Sequence, residues 1–223
     1  MKILIAGDSW GLGEWDQLPD PIGYDVSHPG LEYFLKQDRH EVKNISKGGN
    51  SPRLVYESGL KVETTVYDHV FVFVTDPHRD IVSKDFWING YTYKDYLKRH
   101  DDMIKQFIAD LGDLDIGPVH LVGGYTRVNS TMLSNSKVDI AIPSVLNLLT
   151  KRQWDMCFRD HLHMLRDKKI SDMVGKEVIG KVYDQEAIFD SLKGEHMMSS
   201  DGVHPDRHAH YEIYKELKRK YNM

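Results

Sequence analysis

The sequence predicts an α/β protein built on a doubly wound parallel sheet of about five strands, in three α/β/α layers. Three observations predict it. Short apolar runs recur along the chain, at Ile3 to Ala6, Val70 to Val74 and Val119 to Val122, and each ends at a glycine or a polar residue. Such runs fit buried parallel strands. Between them lie stretches whose apolar residues repeat at helical spacing. Strands separated by helices pair in parallel through right-handed crossovers, with helices on both faces of the sheet.

The elements follow in order. Ile3-Leu4-Ile5-Ala6 is the first strand, and Gly7 permits a tight exit into Asp8-Ser9. Gly30 to Gln37 reads as a short helix, His40 to Ile45 as a second strand, and Arg53 to Lys61 as a helix. Val70-Phe71-Val72-Phe73-Val74 is the clearest strand, because β-branched and aromatic residues dominate it. Tyr93 to Leu111 carries Tyr96, Leu97, Ile104, Phe107, Ile108 and Leu111 on one helical face. Val119 to Val122 is the fourth strand, closed by Gly123-Gly124, and Asp139 to Ile142 is a short fifth. From Met132 to Lys193, helical spacing predicts extra helices packed around the sheet. Pro205 to Tyr221 is a C-terminal helix, with Pro205 expected in its first turn. No Pro/Gly/Ser-rich linker interrupts the chain, so residues 1–223 are expected to form a single domain.

The totals exclude several function classes. With 40% apolar and 28% charged residues the chain has the balance of a globular protein. A net charge of -5 offers no electrostatic case for a nucleic acid or an anionic membrane surface. No apolar run approaches the ~20 residues that span a bilayer. The run after Lys2 is too short for a signal peptide, so a cytoplasmic protein beginning at Met1 is expected. The single cysteine, Cys157, forms no intrachain disulfide and sits in an apolar-rich stretch as a structural thiol.

Four segments gather at strand ends or helix starts: Gly7-Asp8-Ser9, Asn44 to Ser51, Val74 to Asp80, and Asp201-Gly202-Val203-His204-Pro205. In open α/β sheets the carboxyl ends of the strands are where ligands bind. A serine hydroxyl becomes a nucleophile when a base takes its proton, and the usual base is a histidine oriented by a carboxylate. Asp201 and His204 stand three apart in a turn entering a helix, a spacing that can put both on one side. An oxyanion developing at Ser9 needs donors, which the Ser9 N–H, a glycine N–H such as that of Gly49, and a side chain would supply. The competing reading of Asp8 or Ser9 is a helix cap.

At these residues the sequence resembles the SGNH (GDSL-like) hydrolases. Gly7-Asp8-Ser9 matches the first block of that family, Gly49-Asn50-Ser51 its second, and Asp201 to Pro205 its closing Asp-x-x-His-Pro, in the same chain order. The resemblance covers some twenty residues. It implies a flavodoxin-like sheet and a serine hydrolase with Ser9 as nucleophile, His204 as general base, Asp201 as its orienting acid and Gly49 as an oxyanion donor. One block departs. The family has Gly-x-Asn-Asp after the third strand, and this chain has Phe73-Val74-Thr75-Asp76, so Thr75 stands on the asparagine position. Its hydroxyl lacks the reach of an amide, and Asn50 is the alternative donor. Loss of one such donor costs ~10²–10³ in turnover. Trp10 stands where the family more often has leucine; it either lines the substrate pocket or packs in the interior.

Other side chains invite functional readings. Arg79 suits a substrate anion, or an ordinary salt bridge with Asp76 or Asp80. Tyr125 is a candidate wall of the substrate site. His161/His163 and His208/His210 stand two apart, so on a helix they point to different faces and do not chelate; solvated or capping roles are expected. Asp76 and His78 lack a third ligand in a metal-site pattern. Gly11-x-Gly13 lacks the third glycine of a dinucleotide loop. No metal or organic cofactor is implied. The leading expectation is an esterase or acyl hydrolase acting on a small or carbohydrate-linked ester through an acyl-serine. The alternatives are a catalytically impaired binding or assembly module of the same fold, and a small-anion binder.

Overall fold

A computed structural model describes residues 1–17, 24–75, 93–124, 127–133, 137–151, 197–199 and 204–223. Its strands are β1 (Lys2–Ala6), β2 (Glu14–Gln17), β3 (Tyr24–His28), β4 (Glu41–Asn44), β5 (His69–Val74), β6 (Val119–Gly123) and β7 (Val138–Ile142). Its helices are α1 (Ser9–Leu12), α2 (Gly30–Gln37), α3 (Pro52–Ser58), α4 (Tyr93–Gly112), α5 (Val145–Thr150) and α6 (Arg207–Tyr221). Short 3₁₀ turns at Leu60–Val62 and Ser130–Met132 complete them.

The main sheet has the order β4-β1-β5-β6-β7, and every pairing in it is parallel. This is the flavodoxin-like order, in which the chain reverses its direction of travel between β1 and β5. Alternation along the strands divides the core in two. Ile3, Ile5, Phe71, Phe73 and Val122 pack on one face against Leu31 and Leu35 of α2 and Ile213, Tyr214 and Leu217 of α6. Leu4, Ala6, Val70, Val72, Val74 and Leu121 pack on the other against Val55 of α3 and Ile104, Phe107, Ile108 and Leu111 of α4. Both faces are covered, which is why the inner strands β1, β5 and β6 are nearly continuous apolar runs, while the edge strand β4 alternates.

Two features differ from the sequence expectation, and a third segment is described only in part. A two-stranded antiparallel ribbon, β2–β3, stands apart from the main sheet, with Trp15 opposite Val26 and Asp16 opposite Asp25. Residues Glu14-Trp15-Asp16-Gln17 offer no alternation to mark it. The C-terminal helix starts at Arg207, because Asp206 caps it, accepting from the N–H groups of His208 and Ala209 at 2.9 Å each. Pro205 therefore lies before the cap, in an antiparallel bridge with Met198. Finally, the region after β7 contributes α5, while residues 152–196, including Cys157, His161 and His163, lie outside the described residues.

Candidate active site

β1 delivers Gly7-Asp8-Ser9 to the carboxyl edge of the sheet, and the chain turns there into α1. Asp8 is the cap of that turn. Its Oδ1 accepts the Trp10 N–H at 3.0 Å and the Thr75 hydroxyl at 2.9 Å, and the carboxylate is buried. The Gly11 N–H closes the turn on the Asp8 carbonyl at 3.1 Å. From β4, the Asn44 side chain reinforces it by donating to the Gly11 carbonyl at 2.9 Å. Ser9 sits at the first position of this braced turn and is 5% exposed.

The loop after β4 runs beside it. Ile45 N–H donates to the Ile5 carbonyl at 2.8 Å and Lys47 N–H to the Gly7 carbonyl at 3.1 Å, so the parallel register continues to the Ser9 turn. Asn50 N–H then bonds back to the Lys47 carbonyl at 3.3 Å. Among the described residues the N–H groups of Gly48 and Gly49 donate to no backbone acceptor. Gly49 takes φ +78°, and a Cβ there would meet nothing within 4 Å, so the backbone is open on that side. Ser51, by accepting the Leu54 N–H, turns the loop into α3.

The third contributor is the segment preceding α6. Ser199 and His204 are joined by the Ser199 N–H to His204 carbonyl bond at 2.8 Å. The ribbon residue Trp15 links this segment to the other two. Its indole N–H donates to the Ser9 carbonyl at 2.8 Å, and its main-chain N–H donates to Ser199 Oγ at 3.3 Å. Its ring stacks on the His204 imidazole, with centroids 5.2 Å apart and planes 28° from parallel. Its far edge lies against Gly48, where a Cβ would stand 3.3 Å from the indole. The neighbouring Glu14 accepts from Arg207 Nε at 2.8 Å.

The expected residues are thus distributed as follows. Ser9, Gly49, Asn50 and His204 all lie in segments that meet at this edge. Asp201, Arg79 and Tyr125 lie outside the described residues, as do Asp76 and His78. Thr75 is corrected as an oxyanion donor: it is buried, and its one hydroxyl proton is directed at Asp8. Trp10 is corrected as a substrate wall: it is 1% exposed and packs in the core with Leu31, Leu35 and Phe73. Gly11 and Gly13 serve close packing rather than phosphate approach. A Cβ on Gly11 would strike Ser46 Oγ at 2.3 Å, and one on Gly13 the His28 carbonyl at 2.1 Å. His208 and His210 do point to different faces. His208 is exposed, whereas His210 is fully buried rather than solvated, and burial holds its pKa down at about 4. Sequence reasoning missed Trp15, whose contacts all arise from chain segments distant in sequence or from the backbone of the turn.

Among the described residues no group of three or more His, Cys, Asp or Glu side chains is arranged to hold a metal ion, and no helix is long and apolar enough to cross a membrane. No family model matches the chain, and no curated protein matches it. Solved structures similar to it include a member of the lipolytic G-D-S-L family from Veillonella parvula (12% identity, 100% of this chain and 98% of that one, TM-score 0.44). They also include the psychrotrophic esterase EstA from Pseudoalteromonas sp. (14% identity, 100% and 99%, TM-score 0.38) and an aryl esterase from M. smegmatis (12% identity, 99% and 98%, TM-score 0.42). Over its whole length, then, this α/β chain is similar to solved structures that carry lipolytic G-D-S-L and esterase names.

Proposed function

We propose that the protein is a serine hydrolase of the SGNH type, cleaving a small or carbohydrate-linked ester. The observation that carries the reading is the meeting, around Trp15, of three segments far apart in the chain: the Ser9 turn, the Gly48-Gly49 loop and the His204 segment. In this reading Ser9 Oγ attacks the ester carbonyl while His204 takes its proton. The tetrahedral oxyanion is met by the Ser9 and Gly49 N–H groups and by the Asn50 side chain, since Thr75 is committed to Asp8. His204 returns the proton to the leaving alcohol, and water then releases the acyl group by the reverse sequence of proton transfers. Asp201, three residues before His204, orients the imidazole. The chemistry asks for no cofactor, and the single cysteine suits a reducing cytoplasm.

A second reading, a binding or assembly module of the same fold, is favoured by one observation: the asparagine position holds Thr75, whose proton is spent on Asp8. A fluorophosphonate probe and p-nitrophenyl acetate turnover separate the two. The hydrolase reading expects covalent labelling and turnover, both abolished by Ser9→Ala. A parent protein that neither labels nor turns over any short ester leaves the binding module.

A further inference from the structure

We propose that Trp15 is a positioning residue that holds His204 in register with the Ser9 turn, and that β2 exists in this chain to present it. The inference rests on the assignment of Ser9 and His204 given above and deepens it.

Two successive residues of β2 grip the His204 segment from both sides. Trp15 N–H bonds Ser199 Oγ before it, and Glu14 binds the Arg207 guanidinium after it. Ser199 Oγ in turn lies 3.4 Å from the Pro205 carbonyl, next to His204 itself. The indole then spans the gap: its N–H is fixed on the Ser9 carbonyl and its face lies on the imidazole. An imidazole turns about χ1 and χ2, and each partner it meets narrows that rotation. A stacked indole restricts it to one plane, and that plane is referenced by a 2.8 Å hydrogen bond to the residue whose proton it must take. Effective molarity in such proton transfers depends on this kind of orientation. Trp15 also abuts Gly48, so the loop bearing the Gly49 N–H is referenced to the same plane.

The test uses Trp15→Ala and Trp15→Phe in the full chain, with two readouts. The first is the rate of fluorophosphonate labelling of Ser9. The second is independent of activity: the NMR ring-current shift of the His204 ring protons, which the stacked indole produces. The charged and titratable neighbours of the segment, Glu14 on β2 and Asp206, Arg207 and His210 at the start of α6, are untouched in both variants. Trp15→Ala is expected to lower the labelling rate at least about tenfold. It should also erase the upfield shift that the stacked indole gives the His204 ring protons. Trp15→Phe keeps a ring on the imidazole and loses the bond to Ser9. It is expected to retain most of the ring-current shift and to label at a rate between parent and Trp15→Ala. Should Trp15→Ala fail to fold, Trp15→Phe carries the test by the same two readouts. A variant that folds, labels at the parent rate and leaves the His204 ring-current shift unchanged overturns the inference while the hydrolase reading stands. A parent that does not label overturns the hydrolase reading instead, and the ring-current shift then decides by itself whether Trp15 holds His204.

Discussion

Lowering the pH should destabilise this protein through one buried side chain, His210. The residue is 0% exposed on α6, and its ring is pressed against Gly30, where a Cβ would stand 2.8 Å from it. Burial holds its pKa at about 4 against an ordinary 6.5, with the Gly13 backbone opposing the shift. The sign follows from proton counting. Between those two values the unfolded chain binds a proton at this position and the folded chain does not, so stability falls as pH falls from the higher value to the lower. The gap of about 2.5 pH units corresponds to about 3 kcal/mol in total, of which about 2 kcal/mol is lost between about pH 7 and about pH 5. The assay is urea unfolding followed by tryptophan fluorescence across that range, on the parent and on His210→Leu and His210→Gln. These variants change the free energy at neutral pH by their own packing cost, but they lack the titration. Their loss of stability on acidification should therefore be smaller than the parent's by about 2 kcal/mol. His28, His40, His69 and His100 are also held below the ordinary value, chiefly by burial, but they are present in every variant and cancel in the difference. Parallel losses in parent and variants would refute the reasoning, as would an NMR titration of His210 at the ordinary histidine value.

Thr75→Val keeps the shape of a buried side chain and removes one of the donors to Asp8 Oδ1, so it should cost about 1–3 kcal/mol in urea unfolding. It should also slow Ser9 labelling, since Asp8 braces the turn; unchanged stability would show that the Asp8 carboxylate does not depend on that hydroxyl. Gly49→Ala introduces no clash, because nothing lies within 4 Å of the new methyl, so its cost should be the backbone strain of φ +78° alone, about 1 kcal/mol. A larger loss in thermal unfolding would mean that the loop is packed rather than open. Tyr221→Phe removes the hydroxyl that donates to Asp139 at 2.9 Å while keeping its ring beside His69 and His120. With Asp139 partly exposed and also bonded to His120, the cost should be about 1 kcal/mol by chemical denaturation.

Much of the main sheet was legible because burial on both faces writes a plain signal. β1, β5 and β6 are apolar runs bounded by turn residues, and α2 and α4 carry one apolar stripe each, so their ends fall within a residue or two of the expectation. The β2–β3 ribbon was illegible for the converse reason. It lies outside the main sheet, β2 carries no alternation in Glu14-Trp15-Asp16-Gln17, and the alternation of β3 in Tyr24-Asp25-Val26-Ser27 is short. At the site, the order of the glycine and serine blocks along the chain was readable. The state of each side chain was not. Thr75 occupies the right position with its proton turned to Asp8, a fact settled by a partner 67 residues away. Trp10 and Trp15 are alike in the sequence, five positions apart, yet one fills the core and the other reaches the site, because α1 turns the first inward and β2 carries the second across the edge. The same holds for His208 and His210, which one helix places in solvent and in the core respectively.

The clasp between Glu14 and Arg207 joins positions 193 residues apart, and that separation has a consequence measured in time. During synthesis at roughly 5–20 residues per second, the turn bearing Ser9 leaves the ribosome about 10–40 seconds before His204. β1, β4 and β5, three neighbouring strands of the sheet, are all complete by residue 74, so the Ser9 turn can be built before His204 exists. Under the proposed function, a nascent chain then carries a quiet serine until the His204 segment and α6 emerge. Covalent labelling of Ser9 on arrested chains of increasing length would act as a clock for completion of the fold, silent until α6 docks on α2.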